Sequence, residues 1–283
     1  VGTGTSLHAA ELGAAMLHEA GRAAQAAPSM HFMNWAPPVD HRDGVILISH
    51  NAGQETAYAA AAYSMAKDAG VRVLAITRQG GDMPDAIETV PKETSQTYTV
   101  SYTTVLLKLA KMAYALGADS LNPDAIARVP AAVRHALELP DIDRIAIPRR
   151  LVLIFGEGPA SITAREGALK IREASRFLAE GYDVEYLLHG SAVPLTPDDH
   201  LIALSPPDTN GLVEAVSRAA GSEGLHVTAL AETADLPPIL AQIPLTVRLQ
   251  LLALRFALER GQDPDRVIIG AWDDERLWRI GSP

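Results

Sequence analysis

Three charged residues recur at helical spacing in the middle of the chain: Glu166, Lys170 and Glu173, within Arg165-Glu166-Gly167-Ala168-Leu169-Lys170-Ile171-Arg172-Glu173. Positions i, i+4 and i+7 share one stripe of an α-helix. On an exposed helix such a stripe is a solvated ion-pair ladder. Beside a bound ligand it is a proton-transfer set, and Leu188-His189-Gly190, in the next segment, adds an imidazole. A histidine followed by glycine also suits a turn or a structural hydrogen bond. The residue types alone leave both readings open.

Two glycine- and hydroxyl-rich loops supply a possible ligand site. Gly2-Thr3-Gly4-Thr5-Ser6 opens a helix expected to begin near Leu7, where glycines admit close backbone approach and helix amides favour an anion. A plain strand-to-helix turn capped by Ser6 fits the same residues. The second loop, Ser49-His50-Asn51-Ala52-Gly53-Gln54-Glu55-Thr56, follows the apolar run Val45–Ile48. Polar loops at neighbouring strand ends converge on the crevice where open α/β sheets bind ligands. A sugar phosphate, anionic and hydroxyl-rich, matches their chemistry. Neither loop is a Walker or a dinucleotide fingerprint.

Short apolar runs alternate with alanine-rich helical stretches. Strands are expected at Val45–Ile48, Val71–Ile76, Leu151–Phe155, His200–Leu204 and Leu225–Leu230, and helices at Glu55–Ala69, Ala164–Glu180 and Gly211–Ala220. Such runs predict parallel strands covered on both faces, hence an α/β fold. The loop at Gly2–Ser6 has a counterpart in Gly156-Glu157-Gly158-Pro159-Ala160-Ser161, and the elements that follow each loop correspond. The expectation is two similar doubly wound parallel-sheet domains in tandem, 1–138 and 151–283, joined by a linker at 139–150. Val1-Gly2-Thr3-Gly4 reads as the exit of a strand whose earlier residues lie in an N-terminal segment upstream of Val1.

Composition narrows the functions. The 283 residues carry a formal charge of −10, which argues against a nucleic-acid or anionic-membrane surface. No cysteine is present, so thiolate chemistry, disulfides and Cys-ligated metals are excluded, and a cytoplasmic location is expected. No continuous apolar run reaches the ~20 residues of a membrane span. The nine histidines show no zinc-type spacing, so no metal site is expected. There is no Gly-x-Ser-x-Gly nucleophile elbow.

These segments, in this order, resemble the sugar isomerase (SIS) domain family, a group of flavodoxin-like folds. The closest likeness is to its tandem members, the isomerase half of glucosamine-6-phosphate synthases and stand-alone sugar-phosphate isomerases, deaminases and deglycases. Carrying it are Gly4-Thr5-Ser6, the Ser49–Thr56 loop, Glu93-Thr94-Ser95 with Thr99–Thr103, Glu166–Lys170 through Glu173, Ala179-Glu180-Gly181-Tyr182, Leu188-His189-Gly190, Leu249–Ala253 and Arg260–Asp265. The likeness covers nearly the whole chain. It implies that Ser6, Ser49, His50, Asn51 and Thr56 hold the phosphate. Glu173 would shuttle a proton between C1 and C2, Lys170 and Glu166 would line the sugar site, and His189 would help open the ring while reaching a partner subunit. The implied assembly is a homodimer with shared active sites, needing no cofactor.

The chain departs from the family pattern at three places, one of them Thr99-Val100, where the family has Thr-Lys. The usual Ser-Gln-Ser-Gly-Glu-Thr phosphate loop is two residues longer here, with His50 and Asn51 in place of the glutamine and second serine. No lysine follows Lys170, so the C-terminal lysine of the synthase pattern has no counterpart. The expected function is isomerisation or deamination of a hexose 6-phosphate such as glucosamine 6-phosphate or fructose 6-phosphate. The alternatives are a non-catalytic sugar-phosphate sensor and a ketosamine-phosphate deglycase.

Overall fold

The computed structural model describes residues 1–35, 38–51, 57–207, 209–270 and 273–274. They divide into two compact units, Val1–Gly117 with the described residues from Ile268 onward, and Ala118–Val267. Each has its own all-parallel sheet.

The first unit comprises α1 (Thr5–Glu19), α2 (Ser29–Asn34), β1 (Gly44–Ile48), α3 (Ala57–Asp68), β2 (Arg72–Thr77), β3 (Ile87–Glu88) and α4 (Val100–Ala115). β1 pairs with β2 from Gly44 opposite Arg72 to Ile48 opposite Ile76, and β2 pairs with β3. The expected apolar runs are therefore strands, shifted by a residue at their ends. Val45 and Leu47 pack with Phe32 of α2 and with Ala59, Ala62 and Ala66 of α3. The small alanines let α3 lie close to the sheet. α1 packs on α4, with Gly13 against the Leu109 side chain.

On the far side of β1 runs Val1-Gly2. The Val1 nitrogen donates to Ile46 O at 2.8 Å, and the Ile48 amide donates to Val1 O at 2.9 Å. Gly2 in turn bridges in parallel to Pro28, its amide donating to Ala27 O at 3.2 Å. Counted from the amino end, the paired segments lie in the order second, first, third, fourth: Ala27-Pro28, Val1-Gly2, β1, β2.

The second unit comprises α5 (Pro123–Glu138), β4 (Val152–Gly156), α6 (Pro159–Ser175), β5 (Ala179–Asp183), β6 (His200–Ser205), α7 (Leu212–Ser222), β7 (His226–Ala231) and α8 (Pro238–Glu259). Its strand order is β5-β4-β6-β7, again second, first, third, fourth. In this order the connections leave the first strand in opposite directions, which opens a crevice between first and third strands at their carboxyl ends. All five residues of β4 are buried. Ile154 faces Ala164, Ala168 and Ile171 of α6 and Leu249 of α8, while Leu153 and Phe155 face Val213 and Val184. A strand covered on both faces needs a continuous apolar run rather than alternation, and that is what Leu151–Phe155 shows.

The expected helix 164–180 is two elements. α6 starts five residues earlier and ends where Arg176 adopts a left-handed conformation, φ 52° and ψ 36°. The chain then returns as β5, an edge strand whose Ala-Glu-Gly-Tyr-Asp sequence gives no apolar signal. Gly181 is required there, because a Cβ would stand 2.4 Å from Arg165 N on α6. The stretch 139–150 holds a 3-10 turn, Pro140–Arg144, and Ile142 and Ile145 join the core of the second unit. α8 has the length and apolar content of a membrane span, but 78% of that window is buried, and it is the core helix of this unit.

The two strand-to-helix loops share one geometry. Gly4 caps α1 at φ 56°, ψ −127°, and Gly158 caps α6 at φ 52°, ψ −127°. Two residues earlier, a Cβ on Gly2 would strike the Ser6 backbone at 2.5 Å, and one on Gly156 would meet Ala160 Cβ at 2.7 Å. Glycine at both positions lets each helix begin tight against the end of its strand.

Candidate active site

α6 brings Glu166, Lys170 and Glu173 together. Lys170 Nζ lies 2.6 Å from Glu173 Oε2 and 3.6 Å from Glu166 Oε1. The side chains of Glu166 and Lys170 are 0% and 1% exposed, and that of Glu173 is 21% exposed. This burial excludes the solvated-ladder reading. An ammonium so deeply buried must be neutralised, since burial disfavours its charged form. Burial does push the Lys170 pKa down, but the charges of Glu166 and Glu173 and the hydrogen bonds to them outweigh it and the pKa is raised. The outcome is a fixed cation between two carboxylates, one sealed and one accessible.

α6 can carry this set because it is packed on its other faces too. Ala160, Ala164, Ala168 and Ile171 meet the sheet. Thr163 Oγ1 donates to Gln242 Oε1 of α8 at 2.7 Å, and Gly167 brings Leu249 of α8 into contact. The polar stripe 166/170/173 is thus a third side of one helix, buried at Glu166 and Lys170 and open at Glu173.

His189 is not part of this cluster. It sits in an irregular turn, Leu187–Ser191, with φ −92° and ψ 38°, followed by Gly190 at φ 111°. It is solvent-exposed, and among the described residues no hydrogen bond or ion pair joins it to the three. The flanking Tyr186, Leu188 and Val193 are also exposed.

In the first unit, Ser6 lies in the first turn of α1 behind Gly4, its amide donating to Thr3 O at 3.1 Å. Ser49 and His50 follow β1, beside this loop at the first-to-third strand crevice. Ser49 is buried and its amide donates to Ile76 O at 3.1 Å. His50 Nε2 accepts from the Glu93 amide at 3.0 Å, and Asn51 Nδ2 donates to Tyr98 Oη at 2.8 Å. Thr56 lies outside the described residues.

Glu93 and Tyr98 are therefore site-building residues that the spacing of the sequence did not reveal. The Glu93 carboxylate accepts from the amides of Thr99 at 3.2 Å, Val100 at 3.1 Å and Ser101 at 3.0 Å, closing the amino end of α4. Burial pushes its pKa up, but the Ser101 hydroxyl and these amides hold it below the ordinary carboxylate value. The usual capping glutamate sits three residues inside a helix, whereas Glu93 sits seven residues before one.

No family model matches the chain. It is 29% identical over 304 residues to glutamine–fructose-6-phosphate aminotransferase (isomerizing) of Thermococcus kodakarensis, an alignment covering 94% of this chain. The chain spans about half the length of that relative, 50% of it. Among solved structures, glucosamine-6-phosphate deaminase of Thermotoga maritima matches with a TM-score of 0.75 at 19% identity, over 93% of this chain and 86% of its own. Tagatose-6-phosphate ketose/aldose isomerase of Escherichia coli matches with a TM-score of 0.77 at 18% identity, over 96% and 85%. At such identities the structural likeness establishes the shared α/β fold.

Proposed function

We propose that the chain is a sugar-phosphate aldose–ketose isomerase or amino-sugar-phosphate deaminase with the tandem domain arrangement of the SIS family. The observation that carries this reading is the Glu166–Lys170–Glu173 array, with only its outer carboxylate accessible. The named activities of the three proteins above, all on hexose 6-phosphates or their amino derivatives, support the same class.

In this reading Ser6, Ser49, His50, Asn51 and Thr56 hold the phosphate of an open-chain hexose 6-phosphate. Glu173 removes the C2 proton to give an enediol and returns it to C1. Lys170 donates to Glu173 and fixes its rotamer. From a 2-amino sugar the same transfer leaves an imine at C2, which water hydrolyses to the ketose phosphate and ammonia. His189, on an exposed turn, assists ring opening at the site of a second copy in a homodimer.

A second reading, a sugar-phosphate sensor, draws on the anchored His50 and Asn51 where the family pattern has glutamine and serine. The test is incubation in D2O with glucosamine 6-phosphate and, separately, fructose 6-phosphate. NMR follows the C1 and C2 protons, and ammonia is assayed alongside. Deuterium uptake that vanishes in Glu173→Gln establishes the enzyme, and ammonia release identifies the deaminase. Saturable binding without exchange of either sugar points to the sensor or to a different sugar phosphate as substrate.

A further inference from the structure

We propose that the Glu157 carboxylate is the resident anion of the second unit, seated in the crevice between β4 and β6 and closing it to anions from solution. The inference lies outside the sugar-phosphate reading, whose phosphate loops belong to the first unit, and is tested apart from it.

The two strand-to-helix loops match bond by bond. The Ser6 amide donates to Thr3 O at 3.1 Å and the Leu7 amide to Gly4 O at 2.9 Å. In the second unit the Ala160 amide donates to Glu157 O and the Ser161 amide to Gly158 O, both at 3.0 Å. Glu157 therefore stands where the first unit has Thr3, and Ala160 where it has Ser6. On the third strand, Val1 lies opposite Leu47, bonded to Ile46 and Ile48, as Phe155 lies opposite Ala203. Two residues further on, Ser49-His50-Asn51 corresponds to Ser205-Pro206-Pro207.

These exchanges strip the second crevice of donors. Ala160 has no hydroxyl, and Pro159, Pro206 and Pro207 have no N–H. A negative charge comes in their place. Glu157 Oε1 accepts from the Asn210 amide at 3.1 Å, so the side chain reaches from the loop after β4 to the loop after β6. Its Oε2 is sealed from solvent with no hydrogen-bond partner among the described residues, which puts the carboxylate inside the crevice rather than on its rim. Asn210 is itself held, its Oδ1 accepting from the Leu212 amide at the start of α7 at 2.9 Å. The carboxylate thus joins the chain just ahead of α6 to the chain just ahead of α7, where helix amides favour a negative charge. A further anion brought there meets repulsion and finds few donors.

Wild-type protein gives the first test. Inorganic phosphate and acetate, added at constant ionic strength, are expected to leave the Ala160 and Asn210 amide resonances in place, and saturable movement of either overturns the proposal. Glu157→Ala removes about one acetate's worth of atoms. In that variant the Asn210 resonance is expected to shift, and to return toward its wild-type position as acetate is added. Acetate at about tenfold over its dissociation constant then raises the variant's folding equilibrium about elevenfold and leaves that of wild type unchanged. Glu157→Gln fills the same space without charge and is expected to ignore acetate. An Asn210 amide indifferent to Glu157→Ala, or an acetate response that is absent there or equal in wild type, overturns the proposal. The wild-type titrations decide it by themselves should Glu157→Ala not fold. Fructose 6-phosphate that binds nowhere on the chain overturns the sugar-phosphate reading and leaves the Glu157 result standing.

Discussion

Lys170 Nζ stands 2.6 Å from Glu173 Oε2 with the lysine side chain 1% exposed and the glutamate 21% exposed. The contact couples a sealed cation to an accessible base, and its two partners answer differently to substitution. Removing the charge of Lys170 takes a counter-ion from Glu166, which is wholly buried. Lys170→Met is therefore expected to cost about 3–5 kcal/mol in urea unfolding. Glu173→Gln keeps a hydrogen-bond acceptor for Lys170 and leaves Glu166 as its counter-ion, so it is expected to cost about 1 kcal/mol or less while abolishing proton exchange. Equal destabilisation by the two variants would refute the division of roles.

The raised pKa of Lys170 gives a signature at alkaline pH. A base whose folded pKa exceeds its ordinary value of 10.5 contributes its full stabilisation below that value and loses it as pH rises through the folded pKa. The stability gap between wild type and Lys170→Met is expected to stay level from neutral pH to near 10.5 and to shrink above it. Denaturant midpoints of the two proteins across that range check this. A gap that narrows below pH 9 would indicate that burial, not the two carboxylates, governs the ammonium.

Legibility in the sequence followed burial. Val45–Ile48, Leu151–Phe155 and His200–Leu204 are central strands covered on both faces, so their apolar runs announced them. β5 is an edge strand that pairs on one side, and its glycine answers to the α6 backbone rather than to strand propensity. α8 has Pro244, Gln242 and Arg248 inside it, which break the apolar run without breaking the helix. At the candidate site, the i, i+4, i+7 spacing placed three charges on one stripe. It did not tell that the stripe is buried, because that depends on α6 being enclosed on more than one face. Glu93 stood in a segment that the family likeness marked, but its role was not legible, since it is set by the return of the chain to His50, 43 residues apart.

Gly167 and Gly181 both admit close approach to or by α6, and they are expected to differ in how they can be rescued. A Cβ at Gly167 would stand 2.4 Å from Leu249 Cδ1, the end of a side chain. Gly167→Ala is expected to cost about 1–3 kcal/mol. Combined with Leu249→Ala, the total should fall short of the sum of the single effects by about 1 kcal/mol or more, because the added methyl occupies space the leucine vacated. At Gly181 the colliding atoms are Arg165 N and the Ala164 carbonyl, which no side-chain substitution relieves. Gly181→Ala is expected to be at least as costly and to stay so in the Leu249→Ala background. Urea titration of the three single variants and the two doubles with Leu249→Ala decides it.

His200 opens β6 opposite His226 of β7, their rings stacked at 6.2 Å, and its Nε2 lies 2.9 Å from Thr228 Oγ1. Burial, with a smaller effect from His226, lowers the His200 pKa from its ordinary 6.5. The folded protein therefore prefers the neutral ring more than the unfolded chain does, and its stabilisation is present above pH 6.5 and lost as pH falls toward the lower folded value. His200→Gln places an amide near the Nε2 position, retains a hydrogen bond to Thr228, and has no proton to gain. Wild type is expected to lose stability relative to this variant on going from pH 7.5 to about pH 5. Parallel denaturation curves at the two pH values would show instead that the strand-end histidines protonate without cost to the fold.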